Sequence, residues 1–276
     1  MPFDEVEITR AILDRYHEQV TRSLAGDVAV IGAGPSGLVA AGQLAKAGVG
    51  VTVFEKRLAP GGGVWGGGMG MPVAVVQEAV VPVLREMGIR HFPVGEGLYA
   101  VDAIELAGTL CVRAVQAGAV LLNLTVLEDV IIHQGRVAGV VVNRTPLPGA
   151  LPVDPVAFPA KVVIDATGHD AAVVEVLRRR GLLGPKGGNL PGEGPMDAAA
   201  GEAFVAENVA EVYPGLWVCG MSVCATFGGP RMGPIFGGML MSGRRVAECV
   251  LAARPVVPGA SGTGAPTAGG HPQDGR

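Results

Sequence analysis

The stretch Asp27-Val28-Ala29-Val30-Ile31-Gly32-Ala33-Gly34-Pro35-Ser36-Gly37 decides the fold. Val28–Ile31 is a short apolar run, largely β-branched and without polar alternation, which marks a strand buried on both faces of a parallel sheet. It enters Gly32-x-Gly34-x-x-Gly37, and residues 38–47 continue as an apolar helix closed by Gly48. The next apolar run, residues 49–54, ends in Glu55. Strand, glycine turn, helix, strand and acid thus follow one another within 29 residues, the order of a dinucleotide-binding βαβ unit. In such a unit Gly32 permits the turn, Gly34 lets backbone approach a pyrophosphate, and Gly37 lets helix and strand pack closely. Glu55 accepts hydrogen bonds from an adenosine ribose and repels a 2′-phosphate, which favours NAD or FAD over NADP. Lys56 and Arg57 soften that exclusion.

Working outward, the periodicity predicts strands over residues 119–126, 130–133, 136–142, 161–165 and 216–219. It predicts helices over 73–87, 101–117, 171–180 and 238–252. The alternation is that of an α/β protein, an FAD/NAD-binding two-dinucleotide Rossmann-like fold with a mostly parallel central sheet. Gln134-Gly135 marks a hairpin and hence an antiparallel β insertion. Residues 4–24 form an amphipathic helix with Ile8, Ile12, Leu13, Tyr16 and Val20 on one stripe. That stripe is expected to pack against its own domain, with a subunit contact as the alternative. Residues 1–253 read as a single dinucleotide-binding catalytic domain, and the Pro/Gly/Ala/Ser/Thr-rich residues 254–276 as a disordered tail.

Composition removes other classes. The net charge is −4, without the basic face of a nucleic-acid binder. Glycine contributes 44 of 276 residues, more than twice the usual share of about 7%. With 49% hydrophobic residues the chain is nonetheless globular, its glycines clustered where backbone turns or meets a ligand. The N-terminus lacks the basic start and apolar core of a signal peptide, and no stretch reads as a membrane span. A cytoplasmic protein is expected. Cys111, Cys219, Cys224 and Cys249 show no Cys-x-x-Cys spacing, so neither a zinc knuckle nor a disulfide framework is indicated.

Four further segments carry chemistry. Residues 61–70 hold seven glycines around Trp65 and Met69, a costly segment to order unless backbone amides meet a ligand or another chain closely. In Asp165-Ala166-Thr167-Gly168-His169-Asp170 the histidine follows a strand, at the end where α/β proteins place ligands. A lone histidine there is more often structural; with Asp154, in the proline-fixed Leu151-Pro152-Val153-Asp154-Pro155, it could instead supply two thirds of an open facial iron site. Gly229-Pro230-Arg231-Met232-Gly233-Pro234-Ile235-Phe236-Gly237-Gly238 leads into a helix and offers Arg231 as a bidentate carboxylate clamp.

Together these motifs resemble the thiamine thiazole synthase family over residues 5–252. The resemblance implies an enzyme that consumes NAD, joining its ADP-ribose remainder to glycine and sulfur as an ADP-linked thiazole carboxylate. It further implies that Ser36, Glu55, Lys56, Gly63, Val126 and Met221 line the dinucleotide, beside Gly32, Gly34 and Gly37. Asp154 and His169 would bind Fe(II), Asp154 in a neighbouring subunit's site, and Arg231 would hold the glycine carboxylate. The implied partners are NAD, glycine and sulfide, in a homo-octamer with shared sites, and neither nucleic acid nor membrane. One position departs from the pattern. The residue before Val153-Asp154-Pro155 is Cys in members that sacrifice their own sulfur and His in the archaeal type that uses free sulfide. Here it is Pro152, which supplies neither sulfur nor a proton. Sulfide use is therefore expected, with Cys224 the alternative donor. A relative of altered activity, or an FAD-dependent oxidoreductase of the same fold, is the rival reading.

Overall fold

β1 (Val28–Ile31), every residue of it buried, is the third parallel strand of a six-stranded sheet in a computed structural model that describes residues 4–146, 153–183 and 190–253. Pro152 and the tail 254–276 lie outside the described residues. β1 pairs in parallel with β2 (Val51–Phe54) on one side and β10 (Val162–Asp165) on the other. β6 (Val120–Leu122) adds beyond β2, and β13 (Leu216–Val218) beyond β10, both parallel. β12 (Ala210–Tyr213) closes that edge antiparallel. The sheet is thus the mostly parallel one expected of this fold class. α2 (Pro35–Lys46) starts with proline in its first turn and buries most of its residues between the sheet and α8 (Gly237–Ala253). A Cβ on Gly243 would strike the Ser36 carbonyl, so α8 crosses α2 at backbone contact.

The antiparallel insertion forms as read. β7 (Thr125–His133) and β8 (Arg136–Arg144) turn at Gln134-Gly135, whose φ values of 51° and 71° match a two-residue hairpin turn. β9 (Val156–Pro159) joins them as a third strand. Residues 119–126 are not one strand. Leu124, at φ 51°, breaks the run, so β6 stays in the central sheet while β7 absorbs both 125–126 and 130–133.

Residues 73–87 are likewise not one helix. β3 (Val73–Gln77) runs into a 3₁₀ turn (Glu78–Val80) and only then α3 (Val81–Met87). The β-branched valines alternate in burial and pair with β5 (Leu98–Asp102), while Pro82 suits a helix start but not its interior. β4 (His91–Gly95) completes that small sheet. Val101 accordingly belongs to β5, and α4 (Ala103–Gln116) begins after Asp102, which accepts from Glu105 N at 2.8 Å as its N-cap. α5 (Ala172–Arg179) matches expectation, whereas β11 (Gly194–Met196), α6 (Ala198–Glu207), α7 (Met221–Phe227) and β14 (Pro230–Arg231) carried no periodic signal.

α1 (Glu5–Ser23) forms, capped by Asp4, but its apolar stripe does not pack on its own domain. Ile12 is 63% and Leu13 61% exposed, and Ile8 is exposed as well. Only the end of the helix reaches the body: Val20 is partly buried, and the Tyr16 hydroxyl accepts from Arg144 Nη2 at 3.0 Å. Amphipathicity predicts that a face is to be covered, not which chain covers it.

Candidate active site

A cavity of about 660 Å³ opens over the C-terminal ends of β1, β2 and β10. β2 and β10 flank β1, so the chain leaves the sheet centre in two directions there, which is where open α/β sheets bind ligands. Its floor is backbone. Gly32 sits at φ 101°, and a Cβ there would collide with the Ala166 carbonyl. A Cβ on Gly37 would enter the Gly32 carbonyl oxygen, so these two glycines hold turn, helix and strand together. Gly34 and Gly63 differ: no heavy atom lies within 4 Å of where their Cβ would stand, and both line the cavity. Their bare backbone faces space of a size suited to a small-molecule ligand.

Glu55 is buried at the end of β2. Its Oε2 accepts from Ala33 N and its Oε1 from Arg57 N, both at 2.8 Å. The acid therefore braces the glycine turn and keeps a lone pair on each oxygen for a ligand hydroxyl. Ser36, Val126 and Met221 line the same cavity, and Lys56 reaches across its rim to Asp170 at 3.2 Å.

The facing wall is made of side chains. Asp165 ends β10 fully buried and accepts five hydrogen bonds: from Thr167 N, Thr167 Oγ1 and Ser222 Oγ on one oxygen, and from Val173 N and Val174 N on the other. It fixes the turn that carries His169 and caps α5. His169 Nδ1 lies 2.5 Å from Glu193 Oε1, and Arg231 Nε lies 3.3 Å from Glu193 Oε2. His169 and Arg231 are 62% and 56% exposed at their side chains, whereas Glu193 is only 12% exposed. Glu193 is placed there because β11, which follows it, pairs in parallel with β14, which carries Arg231.

Of the residues singled out in the sequence, Gly32, Gly34, Ser36, Glu55, Lys56, Gly63, Val126, His169, Met221 and Arg231 line this one cavity. Gly37 lies behind it. Asp154 is exposed and absent from its lining, on a segment tied down by Asn143 Nδ2 donating to the Val153 carbonyl at 2.8 Å. Among the described residues no three His, Cys, Asp or Glu side chains cluster to hold a metal. Cys224 is fully buried in α7, and burial together with the Glu193 charge pushes its thiol up to about 11, so it carries almost no thiolate at neutral pH. Asp165 and Glu193 were missed in the sequence. Asp165 was read only as a strand end, and Glu193 stands out only as an acid flanked by Gly192 and Gly194.

A glycine turn feeding α2, with a ligand-sized cavity over the parallel strand ends, defines a Rossmann-like α/β protein, the fold class in which dinucleotides are commonly bound. The family model described as the Thi4 family matches residues 9–236, and the chain belongs to that family. It is 49% identical to the thiamine thiazole synthase of Thermococcus kodakarensis over 90% of this chain and 97% of the relative. It is equally 49% identical to that of Thermotoga maritima, over 91% and 98%. The crystal structure of Thermovibrio ammonificans THI4 superposes with a TM-score of 0.86 at 45% identity, covering 91% of this chain and 98% of that one. No helix among the described residues is long and apolar enough to cross a membrane.

Proposed function

We propose that this chain is a thiazole synthase forming the thiamine precursor ADP-thiazole carboxylate from NAD, glycine and sulfide with Fe(II). One observation carries the reading: the bare backbone of Gly34 and Gly63 and the side chains of His169 and Arg231 open into a single cavity. The pyrophosphate would lie over Gly34, at the N-terminus of α2, where backbone N–H groups and the helix dipole favour an anion. Glu55 would accept the adenosine ribose hydroxyls, and Lys56 would stand near the phosphates, with Ser36, Gly63, Val126 and Met221 walling the dinucleotide. That direction runs its nicotinamide ribose toward His169 and Arg231. Arg231 would clamp the carboxylate of glycine.

The donor chemistry suits Fe(II). Among the described residues His169 makes no hydrogen bond besides that of Nδ1, so Nε2 remains as a donor, and imidazole with carboxylate fits a ferrous ion. The described residues of one chain bring too few donors; Asp154, exposed and off its own cavity, would supply the second ligand to a neighbouring copy. When bound, the ion supplies a Lewis-acidic centre with positions open to soft sulfide and to glycine. The uncovered stripe of α1 supports an assembly, which we infer to be a homo-octamer with shared sites. Sulfide as sulfur source is supported by the absence of a thiol at Pro152 and by the burial of Cys224.

Mass spectrometry of small molecules released from freshly purified, denatured protein tests the reading. ADP-ribose derivatives or an adenylated thiazole are expected; a stoichiometric flavin would overturn it. His169→Ala is expected to lose metal retention while keeping dinucleotide affinity within about twofold, since the floor is backbone. Unchanged iron content by elemental analysis would remove the ligand assignment.

A further inference from the structure

We infer that Glu193 is a positioning residue that joins the metal half of this site to its glycine half. The inference rests on the thiazole-synthase reading above and deepens it. A carboxylate offers two equivalent acceptor oxygens, and each of those on Glu193 meets a different functional side chain: Oε1 meets His169 Nδ1 at 2.5 Å and Oε2 meets Arg231 Nε at 3.3 Å. Held through Nδ1, the imidazole keeps Nε2 as its donor nitrogen, the tautomer in which a carboxylate orients a metal-binding histidine. The contact with the guanidinium is an ion pair made at Nε, which leaves the terminal nitrogens for a substrate carboxylate.

Burial separates this arrangement from an incidental surface ion pair. Glu193 is 12% exposed between partners more than half exposed, so the acid is the enclosed member of the trio. Its backbone is fixed. Gly194 N donates to the Gly229 carbonyl at 2.8 Å, and a Cβ on Gly194 would press on the Gly228 carbonyl at 3.2 Å. One acid seated on the β11–β14 pair therefore sets the spacing between imidazole and guanidinium. The reaction needs that spacing if glycine is to be clamped at one end while its other end faces the metal.

Glu193→Gln tests this, because an amide removes the negative charge that pairs with Arg231 and offers one acceptor oxygen where the carboxylate offers two. With Co(II) as a spectroscopic probe in the intact full-length assembly, the d–d band titration is expected to show affinity weakened about 10–100-fold. The glycine KM is expected to rise, while ADP-ribose affinity and the unfolding midpoint stay at their wild-type values. A variant that binds Co(II) and glycine as the wild type does overturns the inference, and so does an equal loss of ADP-ribose binding, which would make Glu193 a fold residue. His169→Ala separates the two levels. If it loses Co(II) and Glu193→Gln does not, only the role of Glu193 falls; if it retains Co(II), the metal reading falls as well.

Discussion

The floor and the wall of the cavity are built by different means. The floor is main chain from one continuous βαβ unit, its geometry set by where a Cβ is excluded at Gly32 and Gly37 and where space is open at Gly34 and Gly63. The wall presents the side chains of His169 and Arg231, far apart in sequence, backed by Asp165 and Glu193; they come together only after β10, β11 and β14 are in place. A backbone-built surface tolerates side-chain exchange but not added bulk. A side-chain-built surface behaves the other way.

The sharpest way to break that contrast lies inside the floor. Gly37→Val drives carbon into the Gly32 carbonyl and is expected to cost about 3 kcal/mol or more, read by urea denaturation. Gly34→Ala, with open space around its Cβ, is expected to keep the midpoint and lose dinucleotide affinity instead. Equal midpoints for Gly37→Val and wild type would dissolve the distinction. On the wall, Asp165→Asn replaces an acceptor of five hydrogen bonds with a group that also carries donors. Its expected cost is about 2–3 kcal/mol in the same measurement.

Behind the wall, Glu202 accepts from Gly238 N at 2.6 Å, where the Arg231–Gly238 loop becomes α8. Burial raises this carboxyl from 4.5 to about 7, offset in part by the Gly238 amide and the Gln77 carboxamide. Among the described residues neither Glu202 Oε1 nor Gln77 Oε1, both buried, has a hydrogen-bond partner, so a proton on Glu202 adds a donor where acceptors lack one. The folded state thus keeps a proton that the unfolded chain releases, and stability falls as pH climbs from about 4.5 through about 7. The full drop is at most about 3 kcal/mol. Glu202→Gln is expected to flatten that slope and to be the more stable protein at pH 8; a slope unchanged from pH 5 to 8 would remove the account.

The smallest effect on stability belongs to α1. Ile12→Glu is expected to cost under about 0.5 kcal/mol in the isolated chain, yet to shift the light-scattering mass downward if that stripe is an intersubunit face. An unchanged mass would leave the helix without that role.

What was legible in the sequence tracks the same contrast. Val28–Ile31, the glycine turn and Glu55 were readable because the unit is local and each residue type has a steric or hydrogen-bonding reason to stand where it does. The Gln134-Gly135 hairpin was readable for the same reason. Residues 73–87 misled because Val73–Gln77 takes its strand form from pairing with β5, which no local period announces. α6 is an alanine-rich helix without an apolar stripe, and α7 spans seven residues, too short for a period. Glu193 escaped because its meaning lies wholly in two distant partners.

The small β7–β8–β9 sheet carries a consequence for the assembly. Val126 on β7 walls one cavity, and β9 begins directly after the Asp154 segment. Phe158 of β9 packs edge-on against Phe54 of the same cavity, with ring centroids 5.0 Å apart. In the proposed assembly, in which copies would trade Asp154, this sheet would act as a lever with one arm at its own cavity and the other at its neighbour's. Occupancy at one station would then be felt at the next, and saturation curves would bend away from a simple hyperbola.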